Sequence, residues 1–163
     1  ELRTLPDVDE SFTDDLPHEQ VAEYLARNKA AVYLDALTED ELLITADTIV
    51  LLNGMIMGKP TDREEAQQML QILSGKRHRV ITGVCLTSMQ KSCSFSDTAW
   101  VTFGHLTEEE ISYYLDRYNP MDKAGAYGVQ EWIGYVGVEQ IEGSYFNVMG
   151  FPIYKVYGEL KRV

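Results

Sequence analysis

The stretch Leu42-Leu-Ile-Thr-Ala-Asp-Thr-Ile-Val-Leu-Leu52, opened by Glu41, decides how the chain is built. It is mostly apolar on both alternating faces, the pattern of a strand buried on both sides. Downstream, Asn53-Gly54 is a tight-turn signal and Met55-Ile-Met57 reads as a short returning strand. Upstream, Pro17 to about Leu37 is helical, with Val21, Leu25, Val32 and Ala36 as one apolar stripe. Lys29 lies four residues after Leu25 and so projects from that inward-leaning face. Thr61 starts a second helix, with Glu64 at the capping-box position and Ser74-Gly75 at its end. Arg79 to Met89 and Cys93 to Phe103 read as two strands joined by a polar turn. Thr107 with Glu110 repeats the capping box at the head of a helix running to about Tyr118. The last third alternates short β-type stretches with glycines, from Gly125 to Gly150. This interleaving predicts an α/β domain with a partly antiparallel sheet. A cleft between two lobes is compatible with it, although no linker marks one.

The 163 residues suit one domain, and a chain of that length buries roughly two-thirds of its unfolded surface without disulfide support. With 45% hydrophobic and 25% charged residues, the composition argues against disorder. Lysine and arginine number 14 against 26 aspartates and glutamates, a formal net charge of -12. Such a field repels a phosphate backbone and an anionic bilayer, which excludes nucleic-acid polymers and membranes as partners. A phosphate-bearing ligand has to be small and met by a few local cations or a metal. Cys85 and Cys93 lack zinc or redox spacing; they pair if both lie in strands, or stay reduced thiols. No apolar run approaches the roughly 20 residues of a membrane helix, and no signal peptide is legible, so a cytoplasmic location is expected. The first residue is not Met, and Glu1 to Leu5 reads as a strand cut mid-way.

Asp47 is the residue with the sharpest chemical meaning. A lone carboxylate in an apolar strand is costly unless a cation or donors sit beside it. At a strand end it binds a divalent cation or polarises a water, or it merely caps a local turn. Asp9 and Glu10 add oxygen ligands to such a site, or form a solvated acidic turn within Asp7 to Ser11. Gly58-Lys59-Pro60 places a cation in a constrained loop ahead of a helix, where amides favour phosphate, although it is not a P-loop. Lys29 strengthens that reading, or is a snorkelling lysine. Asp122-Lys-Ala-Gly-Ala-Tyr-Gly-Val-Gln130 combines an ion pair, a tyrosine and an amide, a pocket with hydrogen-bonding selectivity or a glycine-rich hairpin. Gln130 presents both donor and acceptor to a nucleobase edge. Ser74-Gly75 with His78 reads as a helix end and a strand start rather than a nucleophile and base. His18 and His105 flank helix starts at the surface, and Asn147 fixes loop geometry. Serine-hydrolase, zincin and dinucleotide motifs are absent.

Taken in order, several blocks resemble the Maf family of nucleoside triphosphate pyrophosphatases. They are Asp9-Glu10-Ser11, Ala26-Arg-Asn-Lys-Ala30, Ala46-Asp-Thr-Ile-Val50, Gly58-Lys-Pro60, Leu73-Ser-Gly75 and His78-Arg-Val-Ile-Thr-Gly83, then the block from Asp122 to Gln130 and Glu142-Gly-Ser-Tyr-Phe-Asn-Val-Met-Gly-Phe-Pro152. The resemblance spans nearly the whole chain. It implies an α/β fold of the inosine-triphosphate-pyrophosphatase type (Maf/Ham1), a long twisted mixed sheet flanked by helices with a cleft between two lobes. It implies divalent-metal-dependent cleavage between the α and β phosphates, magnesium or manganese serving as the cation. By that likeness Asp47 is the proton acceptor, Glu10 a catalytic carboxylate, and both are metal ligands. Lys29 and Lys59 hold phosphate oxygens, Asp122 and Lys123 join the substrate site, and Thr48 and Gln130 set base choice. Thr48 with Gln130 is similar to the branch acting on dTTP and UTP, with nucleotide-pool sanitation as a role. The resemblance leaves room for a homodimer, although no interface is legible.

One departure is visible. Family members open with a strand and a Ser-x-Ser-Pro-Arg-Arg-type loop that grips phosphates, and this chain begins after that point. The expectation is a single domain over 1–163 lacking both, so a protein starting at Glu1 is expected to be nearly inactive. Two alternatives stay open: preference for another or modified nucleotide such as 7-methyl-GTP, and a nucleotide-binding regulator of cell division without turnover. An acidic interaction domain is a third.

Overall fold

The computed structural model describes residue 2 and residues 8–162. The strand read at Glu1 to Leu5, and Asp7 of the acidic turn, fall outside that range or largely so. After α1 (His18–Tyr33) and a short 3-10 turn come β1 (Leu43–Leu52) and β2 (Met55–Met57). Then follow α2 (Arg63–Leu73), β3 (Arg77–Thr87), β4 (Ser92–Phe103) and α3 (Glu108–Tyr118). The chain ends with α4 (Trp132–Gly137), β5 (Val138–Glu142), α5 (Tyr145–Val148) and α6 (Ile153–Leu160). The strands form one sheet in the order β2-β1-β3-β4-β5. Among the described residues every pairing is antiparallel, where a mixed sheet is the expectation. Asn53 (φ 50°) and Gly54 (φ 80°) turn the β1–β2 hairpin, since both central residues of that turn need positive φ.

The alternation along β1 distributes its residues between two cores. Ile49 and Leu51, with Ile81 of β3, pack against Val21, Ala22 and Leu25 of α1. Val50, Leu52 and Val80 face the other way, onto Leu70 and Leu73 of α2 and Ile111 and Tyr114 of α3. Val84 and Leu86 meet Val156 of α6 on that second face. The pairing with β2 covers only Val50 to Leu52. Among the described residues, β1 from Leu43 to Ile49 therefore has a strand partner on one side alone.

Several sequence expectations are corrected here. Val32 and Ala36 lie outside the stripe, Val32 being 49% exposed; Ala26 and Ala30 take the buried positions. Small residues are what α1 needs on that face, and a reading weighted by side-chain bulk passes over them. The cap of α2 is Asp62 rather than Thr61, its carboxylate accepting from the Glu65 amide, while Thr61 donates to the Glu65 carboxylate. The Thr107–Glu110 box is present as read. In the last third only β5 is a strand, and the remaining segments are short helices and turns. Cys85 and Cys93 sit on adjacent strands as free thiols. Among the described residues no helix is long and apolar enough to cross a membrane.

α1 reaches the sheet through Gly83. A Cβ there would lie 2.2 Å from the Glu23 amide nitrogen and 2.3 Å from the Ala22 carbonyl carbon. Neither neighbour is a flexible side-chain end, so Gly83→Ala has to lift the helix. The expected cost is about 3 kcal/mol, read as a lower urea midpoint at unchanged slope. A loss below about 0.5 kcal/mol contradicts the backbone-to-backbone contact.

Candidate active site

Asp47 and Thr48 point to opposite faces of β1 because successive strand side chains alternate. On the α1 face, opposite Gly83 in register, Asp47 is 8% exposed and Lys29 12%. The Lys29 ammonium donates to Asp47 Oδ2. The same nitrogen lies 3.3 Å from Glu10 Oε1, and Lys59 Nζ donates to both Glu10 oxygens at 3.1 and 3.3 Å. Burial pulls the Lys29 pKa down, but the Asp47 and Glu10 carboxylates outweigh it and hold it above the ordinary lysine value. For Glu10, burial pushes upward, and Lys59 with Lys29 overrides it to keep the carboxyl below its ordinary range.

On the opposite face, the Thr48 hydroxyl lies 2.8 Å from the Thr82 hydroxyl, which donates to the Asn147 carbonyl at 3.0 Å. The segment from Asp122 to Gln130 closes over this face. It is tied to the Lys59 loop by the Gly125 amide, which donates to the Gly58 carbonyl. Lys123 pairs with Asp122 at 3.0 Å and with Glu131 at 3.6 Å. Tyr114 donates to Glu131 and accepts from the Gly128 amide; burial, then the Glu131 charge, raise its pKa so that the hydroxyl keeps its proton.

One cavity of about 230 Å³ is bordered by residues of both faces of β1. Lys29, Asp47, Thr48, Lys59, Asp122, Lys123 and Gln130 all line it, and Glu10 joins through its lysine pairs. A larger groove, about 780 Å³, borders Leu37, Leu42, Ile44 and Phe151 with Asp40 and Glu41, and among the described residues no lysine or arginine lines it. Asp9 turns away to accept from the Ser11 amide, as a solvated turn does. Among the described residues no cluster of three or more His, Cys, Asp or Glu stands ready for a metal. Two carboxylates converging on one lysine are nevertheless a hard-oxygen donor set. Magnesium is commonly held in this way, by one or two carboxylates with substrate phosphates completing its shell.

Sequence reading missed the supports. Glu131 pairs with Lys123 and is itself held by the Tyr114 hydroxyl, and Thr82 holds Thr48; Thr82 falls in a quoted block without a role, and Glu131 only adjoins Gln130. Ser74 accepts from the Leu106 amide, tying a loop. His78 is fully buried, with Nε2 2.7 Å from the Tyr127 hydroxyl of the cavity wall and Nδ1 without a partner among the described residues.

A family model described as Maf-like protein matches residues 2–163. The chain belongs to the Maf family. A Bacteroides thetaiotaomicron relative named dTTP/UTP pyrophosphatase is 58% identical over 162 residues, covering 99% of this chain and 84% of its own length. Relatives of the same name from Phocaeicola vulgatus (55%; 100% and 84% covered) and Porphyromonas gingivalis (51%; 99% and 82%) also match. The Maf resemblance read from the blocks is thereby shown, over the segments that build the cavity.

Burial lowers the His78 pKa from 6.5 to about 4. Above pH 6.5 folded and unfolded chains both hold it neutral; between 6.5 and about 4 the unfolded chain takes up the extra proton. Stability therefore falls on acidification across that window, at up to about 1.4 kcal/mol per pH unit. Urea unfolding from pH 7.5 to 5 should show this slope in the unaltered chain and a flatter one in His78→Gln; equal slopes contradict the assignment.

Proposed function

We propose that this chain is a hydrolase that converts dTTP and UTP to the nucleoside monophosphate and pyrophosphate with a divalent cation. The observation that carries the reading is the Asp47–Lys29 pair on β1, in one cavity with Lys59, Lys123, Thr48 and Gln130. The names of the relatives support the substrate pair.

Each residue has a part that follows from its place. Lys29, Lys59 and Lys123 are all engaged with carboxylates. An anionic triphosphate therefore meets no spare cation among these three and has to draw lysines off their partners. Lys29 and Lys59 turn to phosphate oxygens, and Glu10 and Asp47 are the carboxylates that would hold magnesium or manganese. When bound, that cation neutralises the phosphate oxygens as the anhydride breaks. Asp47 takes the proton from the attacking water. Thr48 and Gln130 read the base, while Asp122 and Lys123 border it. Base reading and water activation on neighbouring residues of one strand support attack at the phosphorus next to the nucleoside, the cleavage between the α and β phosphates that the resemblance implies.

Pyrophosphate release by the whole protein, with magnesium or manganese and dTTP, UTP or 7-methyl-GTP, tests the reading. dTTP and UTP are expected to be preferred, chelation of the cation to stop turnover, and Asp47→Asn to lower kcat about 100-fold or more while remaining folded. Full activity in Asp47→Asn overturns the proton-acceptor role, and faster turnover of 7-methyl-GTP overturns the pyrimidine preference.

A further inference from the structure

Thr48 and Thr82 stand directly opposite each other on β1 and β3. Thr82 is fully buried, and its hydroxyl has a single proton. That proton goes to the Asn147 carbonyl at 3.0 Å, which can only accept. At 2.8 Å from Thr82, the Thr48 hydroxyl must therefore be the donor of their shared bond. Its own proton is spent, and what Thr48 turns toward the cavity is lone pairs alone.

The surroundings hold this polarity in place. Asn147 is fully buried; its side-chain amide donates to the Val80 carbonyl at 3.0 Å, and its backbone amide donates to Ser144 Oγ at 3.2 Å. The accepting carbonyl is thus anchored to the sheet and to the start of α5. Gly150, at φ 104°, leaves the side of the Thr48 oxygen open, since a Cβ there would approach it to 3.3 Å. Neither Thr82 nor Asn147 lines the cavity, so they act on a ligand only through Thr48. Gln130 does not impose a polarity of its own, because an amide turns over to present either donor or acceptor.

We propose that Thr82 and Asn147 are positioning residues that make Thr48 an obligate hydrogen-bond acceptor and thereby set a preference for bases with a ring N–H. Uracil and thymine offer that donor in their imide N3–H. Cytosine has a lone pair at the same ring position, which would face the Thr48 lone pairs with no proton between them. This rests on the dTTP/UTP reading above for the identity of the ligand, and adds the device that separates uracil from cytosine.

The test compares UTP with CTP, both as kcat/KM for pyrophosphate release and as binding measured by calorimetry in the presence of the cation. Thr82→Val keeps the side-chain shape and removes the hydroxyl, freeing Thr48 to rotate its proton toward the ligand. The UTP:CTP ratio is expected to fall about tenfold in Thr82→Val. Thr82→Ser, which restores the relay, is expected to return the ratio to within about twofold of the unaltered protein. An unchanged ratio in folded Thr82→Val, or an equal loss for both nucleotides, overturns the proposal; Thr82→Ala replaces the valine variant if that fails to fold. If UTP binds but no pyrophosphate is released, the enzymatic reading fails, and the ratio of binding constants still decides the relay. An unaltered protein with no preference for UTP over CTP overturns the relay whatever its turnover.

Discussion

A carboxylate on the inner face of a sheet has to be given a cation, and the Asp47–Lys29 pair is the constraint around which this molecule is arranged. Both side chains are nearly closed to water. Removing Lys29 leaves Asp47 as an uncompensated charge worth about 3–5 kcal/mol, whereas without Asp47 the lysine still has Glu10 beside it. The lysine arrives from α1, so α1 has to lie close enough for a four-carbon stem to reach the strand. Gly83, directly across from Asp47, provides the approach. Ala22, Ala26 and Ala30 make the helix face thin enough to use it. The apolar contacts of Val21 and Leu25 with Ile49 and Ile81 then hold the helix there.

The same strand explains why one cavity contains two kinds of chemistry. Among the described residues β2 ends its pairing at Val50, and the cavity takes in Asp47 from one face of the sheet and Thr48 from the other. On one face lie Asp47, Lys29, Glu10 and Lys59; on the other the Thr48 and Thr82 hydroxyls and Gln130 stand beside the Asp122–Lys123–Glu131 charges. The net charge of -12 is no obstacle to an anionic ligand at this point. Three lysines are concentrated there, held by carboxylates from which a small anionic ligand can draw them. Long-range repulsion still bears on a polymer, which presents many phosphates over a length beyond the screening distance.

The strand β1, its hairpin and the Thr107 capping box were legible because each is a local pattern: an apolar run, a turn dipeptide, a spacing of three residues. The last third reads as alternating strands but forms one, β5, which Gly137 and Gly143 flank; its other glycines serve turns and close contacts. Gly134, for example, sits where a Cβ would meet the Val129 carbonyl oxygen at 1.8 Å. The cavity residues were legible as dense polar clusters, and the fold brings Lys29, Asp47, Lys59 and Gln130 to one place. Their supports were not. Thr82 lies 34 residues from Thr48 and Glu131 17 from Tyr114, and a threonine in a strand or a glutamate before a helix has no signature of its own. A hydrogen-bond partner becomes visible only when the sheet register is known.

The central claim is that adjacent residues on one strand divide the work, Asp47 activating water and Thr48 reading the base beside it. Hydrolysis of dTTP in ¹⁸O-labelled water, with the products separated and weighed by mass spectrometry, tests it most directly. The account predicts one labelled oxygen in the nucleoside monophosphate and none in the pyrophosphate, because the attacked phosphorus is the one next to the nucleoside. Label in the pyrophosphate, or release of inorganic phosphate in its place, would contradict it.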